Sequence, residues 1–444
     1  MALGGGIYVA QNKVLPGAYI NFISKAVATA SLSDRGIVTM PLELDWGEDG
    51  KLIEVSAGDF QKKSLELFGY DYGDPHMAGL RDLFIGARTL LAYRLNGGGL
   101  KASNDYAEAR YKGTRGNDLK VVIRKNVDNE ELFDVKTFLT TGTETVEMDS
   151  QTVEEASTLQ DNDFLVWKKE AVLEETAGVP LAGGSNSVVD NAAYQKYADL
   201  AETKSFHVMG IPTTDEKIKS LFIGFCKRMR DEMGVKFQLV TYQAAAADYM
   251  GVVSFENPAV GTTMGESAGV YWVSGILAGC AVNRSCQNKL YDGEFVFKTD
   301  YTQNQLVDGI KAGKFMLHNV GDDVRVLADI NTMVTVTGEQ GDIFKENQTI
   351  RVIDQIGNDI AVLFNTKYLG VVPNDNAGRL SLWSDIKKLC MQLERIHAIE
   401  TFADSDIAVL PGATKKAVEV QLNVTVVNAM GQLYICLLYT SRCV

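Results

Sequence analysis

The segment AVEVQLNVTVV, residues 417–427, alternates without a break: Val418, Val420, Leu422, Val424 and Val426 fall on one side, Glu419, Gln421, Asn423 and Thr425 on the other. A strict period of two specifies a strand with one face built for burial. Its counterpart at the other end of the chain is VLPGAYINF, 14–22, in a glycine-flanked stretch that is too apolar for a solvated tail and has no helical period. Pro16-Gly17 breaks any helix there, while Val14, Leu15, Tyr19, Ile20 and Phe22 suit extended chain around Gly17. Neither end has an evident partner strand beside it. Ordering an arm of about ten residues costs roughly 10–20 kcal/mol of backbone entropy, so each must lie on a large apolar surface or add a strand to another molecule's sheet. A donor strand at both ends allows each copy to give to one neighbour and receive from another, a head-to-tail arrangement that builds rings or helical filaments. Both ends also carry the string VLPGA, at 14–18 and 409–413, which reflects chance and shared turn chemistry.

At 444 residues the chain is long enough for about three domains. A formal charge of −14 argues against nucleic acid or an anionic membrane as the main partner, because either would repel this surface on average. The longest nearly apolar run, 268–282, has 15 residues, too few to span a bilayer, and reads as a buried helix. No secretion signal opens the chain, so synthesis and assembly are expected in the cytoplasm. Cysteines stand at 226, 280, 286, 390, 436 and 443 with no CxxC pair, so neither zinc nor a disulfide framework is expected, and core packing suits the first four. The closing CLLYTSRCV, 436–444, follows a well-patterned strand abruptly and reads as the translation of a sequencing adaptor joined to its inverted copy, a scar standing after Ile435.

Composition and pattern divide the chain as follows. An extended arm, 1–28, leads to an α/β segment, 29–98, with a strand through Ile37, Val38, Met40, Leu42 and Leu44. A helix is expected over 76–95, on Met77, Leu80, Leu83, Phe84, Ala87, Leu90 and Leu91, ending on NGGG. Residues 99–173 form a compact all-β insertion, with runs LKVVIRK (119–125), LFDVKTFLT (132–140) and FLVWKKE (164–170). A Gly- and Ser-rich linker, 174–190, precedes a doubly wound α/β domain, 191–340, in which Thr213 and Glu216 box the start of a helix burying Ile218, Phe222, Phe225, Met229 and Met233. Lys227, Arg228 and Arg230 are expected on that helix's solvated face. Residues 341–416 carry helices over 345–364 and 380–397, and 417–435 form the C-terminal arm strand. The fold class is therefore multidomain α/β, with a central doubly wound domain, an all-β insertion, an α+β C-terminal domain and extended arms.

Chemistry is sparse. GESAG, 265–269, matches the nucleophile elbow of α/β-hydrolases and makes Ser267 the candidate of an alternative, esterase-like reading, with Asp308 and His318 or Asp385 and His397 in the right chain order. The preceding NPAVGTTM is loop-like where a central strand should stand, so a helix start packed through small residues is preferred. GxxxxGK[ST], GxGxxG after a strand and HExxH are all missing. His207, inside a strand, reads as a satisfied core histidine, and Asp161 with Asp163 as a turn. No enzyme activity, cofactor, catalytic residue or metal site is expected.

With those residues in hand, a resemblance is clear. The stretches NKVLPGAYINF (12–22), LSDRGIVTMPLELDWG (32–47), YKGTRGNDLKVVI (111–123), AGVYWVSGILAGCAVNRS (268–285) and VLPGATKKAVEVQLNVTVVNAM (409–430) resemble the tail sheath proteins of contractile phages and of related phage-tail-like bacteriocins of Gram-positive bacteria, from Gly4 to Ile435. The resemblance implies a β-sandwich insertion, a central domain of subtilisin-like topology without protease chemistry, and a C-terminal domain facing a tail tube. It also implies arms that join neighbouring subunits' sheets, through Val14, Leu15, Gly17, Tyr19, Ile20 and Phe22 at one end and Val418, Val420, Leu422, Val424 and Val426 at the other. Implied partners are further copies of the chain in stacked rings, the tube protein, and baseplate and tail terminator proteins, with no nucleic acid and no membrane insertion. The implied location is a virion tail, and the implied action is contraction from a metastable extended state. A non-contractile structural or surface-layer protein is the other structural reading.

Overall fold

The computed structural model describes residues 32–142, 144–338 and 340–436. The N-terminal arm residues Val14, Leu15, Gly17, Tyr19, Ile20 and Phe22 lie outside them. The first described strands, β1 (Ile37–Leu42), β2 (Leu52–Ser56) and β3 (Thr89–Arg94), are joined through α1 (Ala57–Phe68) and α2 (Ala78–Phe84). β1 and β3 run parallel, Val38 opposite Leu90 and Met40 opposite Ala92, and β2 lies antiparallel on the outer edge. The helix expected over 76–95 thus stops at Phe84, and Leu90 and Leu91 belong to a strand. Leu90 and Leu91 face two different cores, and both are buried. A strand covered on both faces is apolar on both, which erases the period of two and leaves a run that mimics helical spacing.

The same sheet continues far along the chain through β10 (Val208–Ile211), β11 (Gln238–Tyr242), β12 (Val252–Phe255) and β15 (Lys314–Phe315), in the order β15-β12-β11-β10-β1-β3-β2. Every neighbouring pair but β2–β3 is parallel. On one face lie α3 (Asn191–Glu202) and α4 (Glu216–Lys227), with Tyr197, Phe222 and Phe225 packed on Met209 and Leu239. On the other lies α5 (Gly269–Gly279), the apolar run of the sequence, with Val270 to Ala278 all buried against Met40, Val240 and Val253. α2 crosses α5 backbone to backbone: a Cβ on Gly275 would sit 2.1 Å from the Leu83 carbonyl oxygen. α4 is capped by Asp215, which accepts from the Lys217 and Ile218 amides, while Thr213 instead accepts from Asp215 N, replacing the expected Thr213–Glu216 box. Met233, expected in the core, is 48% exposed beyond the end of that helix.

Between β3 and β10 the chain builds a second body. β5 (Leu119–Lys125), β6 (Phe133–Thr141), β7 (Glu144–Val153) and β9 (Thr176–Pro180) form a four-stranded antiparallel sheet in the order β7-β6-β5-β9. It covers the pair β4 (Ala107–Ala109) and β8 (Leu165–Trp167), with Val121, Ile123, Val135, Leu139, Leu165 and Trp167 between the layers. β9 lies inside the stretch expected as a linker; its Gly178 at φ +140 and terminal Pro180 hide an edge strand behind turn-forming composition. Trp46, from the first segment, reaches into this core and stacks on Phe164, which fixes the insertion to the main sheet.

Small ladders finish the central body: β13 (Ala259–Val260) with β14 (Val296–Phe297), and β16 (Leu317–Val320) with β17 (Asp323–Val326), flanking α6 (Gln303–Lys311). The C-terminal body comprises α7 (Asn347–Leu363), α8 (Asn376–Arg395) and the hairpin β18 (Ile407–Pro411) with β19 (Val418–Leu422). Among the described residues no helix is long and apolar enough to cross a membrane.

Candidate assembly interface

The alternation read over 417–427 decides how the C-terminal body is covered. Val418, Val420, Leu422, Val424 and Val426 are half-buried and pack on Leu382, Ile386, Leu389 and Ile407, whereas Glu419, Gln421, Asn423 and Thr425 are exposed. The strand is not without a partner in its own chain. Val418 to Leu422 pair antiparallel with Pro411 to Ile407, and the ladder resumes where Glu400 N donates to Thr425 O and Val427 N to Ala398 O. No short hairpin signal stands between the two strands, because they are joined through GATKKA, a turn without an Asn-Gly or Asp-Gly pair. Among the described residues the hairpin has two strands only, so no third strand covers either edge.

Both ends of the described chain lie on this body. Leu32 N donates to Gln392 Oε1 of α8 at 3.0 Å, and Ser33 Oγ to Asp359 Oδ1 of α7 at 2.7 Å. The described chain therefore begins against the α7–α8 surface. At the other end, Gln348 Oε1 accepts from Ala429 N at 2.9 Å and Gln348 Nε2 donates to Val427 O at 3.0 Å. Beyond Ala429, Met430, Leu433, Tyr434 and Ile435 are each at least 70% exposed. Beside β19 lies a groove of about 530 Å³ lined by Tyr368, Leu369, Val371, Val372, Leu382 and Val418, with Arg379 and Lys416 at its rim.

This body is bound to the main sheet by buried charge. Arg230, past the end of α4, donates to Asp354 of α7 in a two-pronged pair, 2.6 and 2.8 Å, and also to Phe237 O. Burial works against the Arg230 charge, but the adjoining carboxylate outweighs it and raises the guanidinium pKa. Asp329 accepts from Arg351, Asn347 and Cys286 N, and Asn347 accepts from Gln238 of β11. Arg230 is only 1% exposed, so the expectation of a solvated face fails there. Its partner lies 124 residues away, and no local pattern announces such a pair.

The hydrolase constellation is not assembled. Ser267 sits in a 3-10 turn, Glu266–Ala268, that leads into α5, and the short β13 before it belongs to a separate two-stranded ladder. Asp385 is engaged by Tyr368, Lys388 and Lys367, and His397 is an exposed residue at φ +58 past the end of α8. His318 lies half-buried on β16, and Asp308 on α6. His207, expected as a core histidine inside a strand, lies half-buried one residue before β10; Ile37 N donates to its Nδ1, and burial, aided by Arg35, lowers its pKa to about 3. Among the described residues no group of three or more His, Cys, Asp or Glu is placed to hold a metal ion.

Four family models tile the chain: the Gp18 domain III N-terminal region of tail sheath proteins over residues 35–95, the phage tail sheath β-sandwich domain over 96–186, the phage tail sheath central domain over 187–332 and the phage tail sheath C-terminal domain over 339–437. The solved sheath tail protein of Desulfitobacterium hafniense is 36% identical, with 94% of this chain and 99% of that one covered and a TM-score of 0.81. The chain belongs to the phage tail sheath family. Within this family it is 30% identical to the phage-like element PBSX protein XkdK of Bacillus subtilis, over 97% of this chain and 98% of that one. The anti-feeding prophage helical sheath, solved in its contracted state, shares the fold at 14% identity, with a TM-score of 0.57 and 96% and 98% of the two chains covered. As a member of this family the chain is a sheath subunit of mixed α/β, multidomain fold with a β-sandwich domain, and a component of a virion tail or tail-like particle.

Proposed function

We propose that the chain polymerises as stacked rings around a tail tube in a metastable extended state, and that contraction of this lattice drives the tube through a bacterial envelope. The observation that carries this reading is that both ends of the described chain lie on one body, beside a hairpin whose two edges carry no third strand among the described residues. In a head-to-tail polymer, the arm carrying Val14, Leu15, Gly17, Tyr19, Ile20 and Phe22 adds to a neighbour's hairpin edge and covers the apolar groove by β19. The exposed 430–435 segment reaches another copy, while Val418, Val420, Leu422, Val424 and Val426 hold the receiving hairpin on its own core. Such exchange keeps subunits connected while they rotate, so no nucleotide site is required and the free energy is stored during assembly. A sheath built of the same fold and solved in a contracted state supports that cycle. The arm shares, the tube, baseplate and terminator contacts, assembly in the host cytoplasm, the subtilisin-like reading of the central sheet and the division at residues 98, 173, 190, 340 and 416 are parts of this proposal.

The test is negative-stain microscopy of the purified protein, with and without residues 1–22. Helical tubes that vanish on deletion are expected. A folded monomer at high concentration in both cases, or tubes unchanged by the deletion, would remove the strand-exchange mechanism.

A further inference from the structure

On β5 and β6, Leu119, Val121, Ile123, Val135 and Leu139 enter the sandwich core, so the residues between them form the outer face of the sheet. There Lys120 lies opposite Phe138 and Val122 opposite Lys136. A groove of about 470 Å³ runs over this face, and at one end it reaches Val127 in the turn that joins β5 to β6. Its floor is apolar: Val122 is only 7% exposed although it belongs to the outer face, because long side chains lie over it. Lys120 Nζ lies 5.7 Å from the centre of the Phe138 ring, and the Lys120 stem runs where β9 carries no side chain. A Cβ on Gly178 would sit 2.8 Å from Lys120 Cδ.

The positive charge of this groove is unmatched. Of the two carboxylates beside it, Asp134 is taken by Asn126 and Thr152, and Glu147 by Lys136. Lys125 Nζ rests on the Phe133 ring at 3.9 Å, and Glu175 accepts from the Lys125 backbone amide. Among the described residues Lys120, Arg124 and Lys125 form no ion pair, in a chain whose formal charge is −14. The turn at the end of the groove has the opposite character. Val127 is 96% exposed, and Asp128, Glu130 and Glu131 are exposed with no ion pair among the described residues. Asn126 Oδ1 accepts from Asp128 N and Asn129 N, and Asn129 Oδ1 from Glu131 N, so the turn projects in a defined shape.

We propose that the 127–131 turn of one copy docks in the outer-face groove of a second copy's sandwich, with Val127 on Val122 and Phe138 and its acidic residues against Lys120 and Arg124. The two surfaces match in both respects: one offers an exposed apolar side chain among free carboxylates, the other an apolar floor among free cations. A chain cannot fill the Lys120 end of its own groove, because five residues of strand, about 16 Å, separate Lys120 from Lys125 and the turn lies beyond. Turn and groove are different surfaces, so the contact is head to tail and repeats from copy to copy. Charge fixes its register and steers the approach. It adds a link at the sandwich to those of the arms, and it stands without the polymer proposed above.

A carbodiimide joins a carboxylate to a lysine amine where the two touch, which makes the contact readable in the full chain. Unlabelled and ¹⁵N-labelled protein are mixed in equal amounts at high concentration, scored for tubes by negative stain, cross-linked and digested with trypsin. We expect the 116–124 peptide, uncut at the linked Lys120, joined to the 126–136 peptide in mixed-isotope pairs. The yield should fall several-fold in 1 M salt, where screening acts within about 3 Å, and several-fold in Val127→Ala and in Arg124→Gln, neither of which removes a reacting group. The salt comparison needs no variant to fold. Absence of the mixed pair overturns the proposal, as do same-isotope pairs alone or a yield indifferent to salt and to both variants. If tubes form without the pair, the polymer survives and this contact falls; the pair without tubes upholds the contact and removes the polymer.

Discussion

Arg230 and Asp354 meet in a two-pronged ion pair, 2.6 and 2.8 Å, with the arginine 1% exposed and the aspartate 6%. Arg230 follows a helix of the central sheet and Asp354 lies in the middle of α7, so this pair fixes how the C-terminal body sits on the rest of the chain. Both ends of the described chain lie on that body, so its attitude sets where they stand relative to the main sheet.

Removing one partner leaves the other charge buried and unmatched. Asp354→Ala is expected to lower the unfolding free energy by about 3–5 kcal/mol, whereas the apolar double replacement Arg230→Met with Asp354→Leu should lose far less. Denaturant unfolding of the three proteins checks this, and equal losses for the single and double variants would show that the pair is not what holds the joint.

The crossing of α2 over α5 depends on missing side chains. A Cβ on Gly275 would lie 2.1 Å from Leu83 O, and one on Gly279 would lie 2.0 Å from Gly86 O. Both obstacles are backbone, so neither can swing away. Gly275→Ala is expected to force the helices apart at a cost of about 1–3 kcal/mol or more, read as a lower denaturation midpoint. Gly224→Ala, in α4 with open space around it, should be neutral or stabilising and serves as the control.

These contacts explain what the sequence made legible and what it did not. The fully apolar α5 and the strand Leu119–Lys125 were readable because burial on all sides, or on one side, leaves a local signature. β3 was misread, since a strand covered on both faces has no alternation. β9 was hidden by Gly178 and Pro180, and β7, whose ten residues are mostly exposed, offers no apolar face to read. The alternation at 418–426 foretold its buried face correctly but not its partner: pairing with 407–411 is a matter of tertiary register. Arg230 shows the same limit, because a cation on a helix looks solvated until a distant carboxylate is placed beside it.

Asp82 makes stability depend on pH. Its carboxylate is buried, held by Tyr291 OH at 2.7 Å and Glu294 N at 2.8 Å, and burial, with some repulsion from Glu294 and Asp292, raises its pKa to about 6. The unfolded chain releases this proton near pH 4. The fold therefore binds the proton more tightly, its contribution is complete below about pH 4, and it is lost as pH rises to about 6, on the order of 3 kcal/mol. Asp82→Asn keeps the site neutral and can still bond Tyr291 and Glu294 N. Thermal unfolding between pH 4 and 6.5 should show a falling midpoint for the parent that is flattened in the variant. Identical slopes would mean that other groups carry the dependence.

The final expectation separates folding from assembly. Met430, Leu433, Tyr434 and Ile435 are nearly as exposed as in an extended chain, and among the described residues past Ala429 the hydrogen bonds to the body cease, leaving a local one between Tyr434 and Gln432. A chain ended after Ala429 should thus unfold within about 0.5 kcal/mol of the parent, as surface changes generally do. If those apolar side chains are completed by a neighbouring copy, the same truncation should abolish tubes seen by negative stain, and Leu433→Asp with Ile435→Asp should do so without shortening the backbone. Unimpaired tubes from both variants would place the subunit contacts elsewhere. A large stability loss would instead mean that the segment folds back on its own body.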